Sequence, residues 1–278
     1  MSLRQGFSVA NGVDFETCLA LAEREEFDFL ELSMDWQFAR DRTDAARVRE
    51  ALSARGLDAV VHFPVRIDPC SPHESVRAAG VAELEAALDA AAEYGAERGV
   101  YHLGTEVHPE KWDREPVWDA VRETADRLAA YGDRVGVQPV AETAKGAFVD
   151  AGDLRALFEE TDATACLDTG HAYVSGLDGA DQAALLADHG DRIDHVHLQD
   201  TRQTGDDEHL PVGMGRIDVE PIAAALADGW SGTVTHELFT FDRSYAAASR
   251  DRFDALLASA SADVGAGRPR QQDDRDGT

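Results

Sequence analysis

The sequence predicts an α/β fold, a single (β/α)8 TIM barrel in which parallel strands alternate with helices. Short apolar runs alternate with amphipathic stretches eight times along the chain, which is the repeat that parallel strands and their crossover helices require. The length of 278 residues also suits one such barrel, which takes about 250 residues. An open doubly wound sheet is the alternative, but no GxGxxG follows the first apolar run to support nucleotide binding.

The predicted strands are short apolar runs, several of them rich in Val and Phe, with Gly, Pro or Asp near many of their ends. Such runs are typical of strands buried on both faces. The predicted strands are residues 6–10, 27–33, 58–64, 98–104, 134–142, 164–170, 193–200 and 232–239.

The predicted helices place Ala and Leu at i, i+3 and i+4 spacing, with Glu, Asp and Arg between them. The clearest is VAELEAALDAAAEYG, which ends at a C-cap glycine, Gly95. The predicted helices are residues 14–26, 43–55, 74–94, 114–130, 151–160, 180–188, 218–228 and 244–258. The barrel domain is therefore expected to span 1–258, and the polar segment 259–278 is expected to be a disordered acidic tail.

The charge composition indicates a solvated acidic surface. The formal net charge is -28, and Lys111 and Lys145 are the only lysines. Abundant Asp and Glu with almost no Lys resembles the composition of proteins from halophilic archaea, which we take as the source. Such a surface argues against a broad face that binds a polyanion, so nucleic acid is not the expected partner.

The remaining composition predicts a cytoplasmic protein. The three cysteines are far apart and form no CxxC, which suits a reducing compartment. No run approaches the roughly 18 apolar residues of a membrane span. The N-terminal segment lacks the basic and apolar regions of a signal peptide.

Ionisable residues recur at or near the carboxyl ends of the predicted strands. Barrel enzymes build their active sites at this end, and carboxylates that converge there repel one another unless they are protonated or bind a cation. Each residue alone could be an ordinary core or loop residue, but together they predict a site for zinc, manganese or a similar divalent ion. These residues are Glu31, His62, His102, Glu142, Asp168, His197 and Glu237.

Two further stretches could add ligands. In CLDTGH, Asp168 and His171 lie three residues apart, where they are either two metal ligands or a turn with a helix cap. In DDEHLPVGMG, Asp207 and His209 lie two residues apart, so both would face the same side of an extended segment.

The motif order H…H…E…DTGH…HLQD…DEHLPVGMG…E resembles the xylose isomerase-like barrels, over residues of about 5–258. This superfamily includes sugar-phosphate isomerases and epimerases and endonuclease IV. The resemblance to endonuclease IV implies three metal positions. These are His62 and His102 with Glu142 as the bridging carboxylate, then Asp168, His197 and Glu237, and finally His171, Asp207 and His209.

Other segments depart from endonuclease IV. The first strand has no His, and FLELSMDW, with Glu31, replaces the QIF-like segment and the Asn-Pro-Arg loop that helps to enter DNA. A Glu at this point resembles the sugar isomerase branch. Few basic residues are expected at the rim of the site, which disfavours DNA binding.

The expected function is therefore that of a divalent-metal-dependent isomerase or epimerase acting on a sugar, sugar phosphate or polyol through an enediolate-type proton transfer. The resemblance implies one to three ions of Zn, Mn or Mg, Glu142 and Glu237 as the acid/base pair, and a possible homodimer. His171, Arg202, Lys145 and Glu31 are expected to hold the substrate. The alternative is an endonuclease IV-like phosphodiesterase acting at abasic sites in DNA.

Overall fold

Eight parallel strands close into a barrel in the computed structural model, which describes residues 3–9, 12–143, 145–240 and 242–267. Each strand pairs with the next along the chain, and the first pairs with the eighth. The strands are β1 (Arg4–Val9), β2 (Phe29–Ser33), β3 (Asp58–His62), β4 (Arg98–His102), β5 (Gln138–Glu142), β6 (Thr164–Asp168), β7 (Ile193–Leu198) and β8 (Thr233–His236). The predicted (β/α)8 barrel is confirmed.

Helices follow the strands and cover the outside of the barrel. They are α1 (Phe15–Arg24), α2 (Ala45–Ser53), α3 (Glu74–Tyr94), α4 (Arg114–Val135), α5 (Leu154–Glu160), α6 (Thr169–Val174), α7 (Gly179–His189), α8 (Val219–Ala227) and α9 (Ser244–Gly267). Gly95 ends α3 in the left-handed conformation with φ 74°, as predicted for a C-cap. Within the described ranges, no helix is both long and apolar enough to cross a membrane.

Several boundaries differ from the predicted ones, and three of the differences reassign a segment. The helix α4 continues to Val135, so β5 begins at Gln138 rather than at 134. The short helix α6 follows β6 directly, where the sequence predicts only a strand end. The last helix, α9, continues to Gly267, so residues 259–267 are helical where a disordered tail is predicted. The rest of that predicted tail, 268–278, and residue 10 of the first predicted strand lie outside the described residues.

An apolar layer fills the barrel interior beneath the strand ends. Because successive strand residues point to opposite sides, a residue two positions before a strand-end donor lies on the same side and one layer deeper. The layer contains a residue at this offset from each of Glu31, His62, His102, Glu142 and Asp168, and these residues are Phe29, Val60, Val100, Val140 and Cys166. The strand ends of β2 to β6 therefore stand on a hydrophobic layer, whereas the same offset on β7 and beyond β8 gives the buried polar residues His195 and Thr235.

The long connection between β7 and α8 is folded around one carboxylate, that of Asp200. Its Oδ1 accepts hydrogen bonds from the backbone N–H groups of Thr201 at 2.9 Å and Ile217 at 3.0 Å. Its Oδ2 accepts from Gly213 at 3.0 Å and Gly215 at 2.8 Å. Both ends of the 201–217 loop are thus anchored at the end of β7, which brings the segment carrying His209 over the barrel.

We expect Asp200→Ala to destabilise the protein by about 2–4 kcal/mol, because four buried or half-buried N–H groups lose their acceptor. The free energy of unfolding from denaturant titration measures the effect. The control is Asp251→Ala on the exposed side of α9, which should change it by less than about 0.5 kcal/mol. Equal losses for the two variants would contradict the anchoring role of Asp200.

Candidate metal centre

The polar residues at the strand ends converge at the carboxyl end of the barrel. Several groups of His, Asp and Glu side chains there have ligand atoms within 4.8 Å of one another. Three of them define the site. We name them cluster 1 (His62, His102 and Glu142), cluster 2 (Glu142, Asp168, His197 and Glu237) and cluster 3 (Asp168, His171 and His209). The structure therefore brings the predicted donors together, and their roles as metal ligands remain predictions.

Glu142 belongs to clusters 1 and 2 because its two oxygens face different imidazoles. Its Oε2 lies 3.2 Å from Nε2 of His62 and 3.1 Å from Nε2 of His102. Its Oε1 lies 3.1 Å from Nδ1 of His171 and 3.4 Å from Nδ1 of His197. A buried carboxylate in this orientation is placed to bridge two cations.

Cluster 2 contains buried atoms that a divalent metal would satisfy. Nδ1 of His197 and Oε2 of Glu237 lie 3.2 Å apart, yet neither has a hydrogen-bond partner. Ligand atoms placed tetrahedrally around zinc at 2.0–2.2 Å are separated by about 3.3 Å. Because an unpartnered buried polar atom is costly, a cation between the two would stabilise both. One imidazole and three carboxylates form a donor set that suits zinc or manganese.

The surroundings of cluster 2 shift the pKa values of Glu142 and Asp168 in opposite directions. Burial alone would raise the pKa of Glu142, but the imidazoles of His102 and His197 hold that pKa well below its usual range. For Asp168, burial raises the pKa, and the negative charges of Glu142 and Glu237 add to the rise. Asp168 is thus the carboxylate of this group that benefits most from an added cation.

The histidines around cluster 2 hold protons when no metal is bound. Burial lowers the pKa of each, but the neighbouring carboxylates outweigh it and raise the pKa of His62 and His171 to about 9 and that of His209 to about 10. These imidazolium charges balance the buried carboxylates at neutral pH. Metal ligation needs neutral imidazole, so a divalent cation would take over this balancing charge.

Asp168 is both a helix cap and a member of cluster 2. Its Oδ1 accepts a hydrogen bond from the backbone N–H of His171 at 2.6 Å, which caps α6. Its Oδ2 lies 3.9 Å from Nδ1 of His197. The two readings of CLDTGH are therefore compatible, because one oxygen caps the helix while the other faces the cluster.

Gln199 is a site residue that the sequence analysis missed. Its side-chain amide donates to both oxygens of Asp168 and to Oδ2 of Asp207, each at 3.0 Å. Its carbonyl oxygen accepts from the backbone N–H of His209 at 2.9 Å. The signal that could have identified it is the position of this glutamine in HVHLQD, at the end of a predicted core strand. An amide that is fully buried there needs hydrogen-bond partners among the neighbouring side chains.

Glu31 lies behind His197, whereas the sequence analysis expects it to hold the substrate. Its Oε1 lies 3.1 Å from Nε2 of His197, and its Oε2 accepts from Oγ1 of Thr235 at 2.6 Å and lies 3.1 Å from Nε2 of His195. Although Glu31 reaches the pocket floor, these contacts use both of its oxygens. A carboxylate on the far nitrogen of a ligating His fixes the tautomer that leaves the near nitrogen for the metal.

The two basic residues expected to hold substrate are paired with carboxylates instead. Arg202 has a side chain 63% exposed and contacts Glu208, so it lies outside the pocket. Lys145 contacts Asp206 and Asp207. Asp207 itself accepts from Nδ1 of His209 at 2.8 Å. The charged head groups of both basic residues are therefore already engaged.

A pocket of about 320 Å³ opens above the clusters. Its described lining contains no Lys or Arg. The ring of Phe239 stacks on that of His209 with centroids 3.8 Å apart, and it forms part of the pocket wall. Outside the clusters and Glu31, the lining residues are Ser8, Val9, Ser33, Asp35, Val65 and Phe239. Asp35 and Phe239 follow strand ends, but the sequence did not identify either as a site residue.

Comparison with known families assigns this barrel to one of them. A sequence model described as "Xylose isomerase-like TIM barrel" matches residues 19–258. The chain belongs to this family. Its curated relatives include "Probable endonuclease 4" of Mycobacterium ulcerans and of Mycobacterium leprae, each 29% identical over 225 residues, or 75% of this chain and 84% of the relative.

Solved structures of the xylose isomerase-like fold are also similar. A "D-tagatose 3-epimerase-like protein" superimposes with a TM-score of 0.80 and 22% identity, covering 94% of this chain and all of the other. An "L-ribulose 3-epimerase" gives a TM-score of 0.80 with 18% identity, covering 98% of this chain and 100% of the other. An "IOLI protein with a binding zinc atom" gives 0.73 with 14% identity, covering 94% of this chain and 98% of the other. At these identities the likeness is one of fold.

We expect Glu31→Gln to weaken divalent-metal binding by about 10–100-fold, because the substitution removes the negative charge that fixes His197. Competition with a chromophoric zinc chelator measures the affinity. Glu220→Gln, an exposed glutamate in the first turn of α8, serves as the matched control. An affinity of the Glu31 variant equal to that of the control would show that this carboxylate does not position His197.

Proposed function

We propose that this protein is a divalent-metal-dependent isomerase or epimerase that acts on a small, uncharged sugar or polyol. The observation that carries the proposal is the pocket itself, which sets two cluster carboxylates, Glu142 and Glu237, into a cavity with no Lys or Arg in its described lining. A volume of about 320 Å³ lies at the small end of ligand pockets. A phosphate or phosphodiester would find no Lys or Arg partner in this lining.

The polar lining also fits a polyhydroxylated ligand. The hydroxyl of Ser8 is buried, lines the pocket and has no hydrogen-bond partner. A buried hydroxyl without a partner is unfavourable, and a substrate hydroxyl would satisfy it. Phe239, which has 66% of its surface exposed, offers an apolar face above the same space.

The proposed chemistry is a proton transfer at the carbon next to a carbonyl group. One of Glu142 and Glu237 removes the proton from one face of that carbon, and the other returns a proton to the opposite face, which inverts the centre. A metal bound by cluster 2 would polarise the carbonyl oxygen and so acidify the neighbouring C–H bond. His62 and His102, both near Oε2 of Glu142, would stabilise this carboxylate as it gains and loses the proton.

We expect the metal-loaded protein to catalyse exchange with D2O of the hydrogen on the carbon next to the carbonyl of one or more ketoses. Glu237→Gln should slow this exchange by about 10²–10⁴-fold. NMR of a panel of ketopentoses and ketohexoses at high salt measures the exchange. Glu220→Gln, at an exposed position in the first turn of α8, should keep the full rate. No exchange across the panel in a protein that has bound its metal would refute the proposal.

Phosphodiester cleavage at abasic sites is the second candidate function. The observation in its favour is that the oxygens of Glu142 face two clusters, which suits a bridging carboxylate in a multinuclear centre. The relatives named "Probable endonuclease 4" agree with it. The net charge of -28 and the paired Arg202 and Lys145 weigh against it, because DNA binding depends on phosphate contacts.

A duplex with one abasic site separates the two functions. We expect no strand cleavage above that of Glu142→Gln when the protein carries its metal, since the described lining of the pocket has no Lys or Arg to hold the DNA backbone. Denaturing gel electrophoresis measures the cleavage. Efficient nicking that the Glu142 substitution abolishes would select the phosphodiesterase instead.

A further inference from the structure

Lys145 holds a position that bears directly on cluster 3. It lies three residues beyond Glu142 at the end of β5, and it is one of only two lysines in the chain. Its ammonium group contacts the carboxylates of both Asp206 and Asp207. Asp206 is exposed, whereas the side chain of Asp207 is only 2% exposed. The positive charge thus meets a carboxylate that faces into the site.

The oxygens of Asp207 are all engaged within the chain. Oδ1 is paired with Lys145. Oδ2 accepts from Nε2 of Gln199 at 3.0 Å and from Nδ1 of His209 at 2.8 Å, and it lies 3.5 Å from Nε2 of His171. Asp207 therefore lies beside two members of cluster 3, but the group of converging ligand atoms consists of Asp168, His171 and His209 without it. Donors from Gln199 and His209 and the ammonium group of Lys145 occupy the directions from which a metal would approach this carboxylate.

We propose that Lys145 acts as a built-in cation that withholds Asp207 from the metal ligands and so excludes a divalent ion from cluster 3. A carboxylate that already contacts an ammonium group gains less from a second cation, and the two positive charges repel each other at this distance. Without Asp207, cluster 3 has only two imidazoles and Asp168, whose oxygens already serve the cap of α6 and Gln199. The chain then binds divalent ions only at clusters 1 and 2.

Asp207 has a different task in this arrangement, which is to position His209. By accepting from Nδ1, it turns Nε2 of His209 toward Glu237, at 3.4 Å from Oε2. Nε2 of His209 thereby faces the carboxylate of Glu237 rather than a metal ion in cluster 3. This inference rests on the metal centre of the proposed function, but it does not depend on which reaction the centre performs.

The test compares Lys145→Met with Lys111→Met in the full-length protein. Lys111 is the other lysine, and it lies on an exposed turn, Pro109–Lys111, so both variants lose the same charge and gain the same side chain. Each protein is stripped of metal, titrated with zinc against a chromophoric chelator, and analysed for zinc after gel filtration. We expect the wild type and Lys111→Met to bind equal amounts and Lys145→Met to bind about one more ion per chain.

Two further variants make the result specific. Adding Asp207→Asn to Lys145→Met should return the zinc content to that of the wild type, because the freed carboxylate is gone. Lys145→Gln provides a second neutral variant should Lys145→Met not fold, and it should also gain an ion. Three ions in the wild type, or no gain in either neutral variant, would overturn the inference while leaving the proposed function in place. No zinc in any variant would overturn both.

Discussion

The centre depends on the repulsion between carboxylates that the barrel buries side by side. Glu142 ends β5, Asp168 ends β6 and Glu237 follows β8, and the closed sheet brings their oxygens within 4.8 Å of one another. Buried like charges this close require compensating positive charge. Imidazoles that hold protons provide it in the metal-free protein, and a divalent cation bound between the carboxylates would provide it more directly.

A second layer of residues keeps the cluster side chains oriented toward one another. Glu31 fixes His197 from behind, Gln199 holds Asp168 and Asp207, and Asp200 anchors the loop that carries His209. Each of these supports lies in or beside β2 or β7 and adds hydrogen bonds rather than ligand atoms. Positioning of this kind decides which nitrogen of a histidine faces the metal, and it is as important to affinity as the ligands themselves.

The acidic surface and a pocket lining without Lys or Arg both disfavour an anionic ligand. Two basic side chains near the site contact carboxylates, in the pairs of Arg202 with Glu208 and of Lys145 with Asp206. The relatives named "Probable endonuclease 4" and the epimerase structures share this fold. The two candidate functions differ in how much positive charge they need beside the candidate metal centre, and the described lining of the pocket contains no Lys or Arg.

The sequence by itself determined the barrel and most of the donors. Strand–helix alternation is a local pattern, and a donor at a strand's carboxyl end must lie at the open end of a parallel barrel, so His62, Glu142 and Asp168 could be predicted to meet. Sequence also indicated the departures from endonuclease IV at Glu31. The C-terminal end of α9 was less predictable, because the composition of a segment rich in Ala and polar residues is compatible with both a helix and a disordered tail.

Only the tertiary structure decided what each donor does. The partners of Glu31 lie on β7 and β8, and those of Lys145 lie in the loop after β7. These partners are far away in the sequence, so the spacing of residues along the chain does not predict either contact. The pairing of Arg202 with Glu208 likewise depends on how this loop folds, and the sequence did not predict it. A side chain's role here is set by which atom faces which neighbour across the barrel, and that follows from strand register and loop folding rather than from residue type.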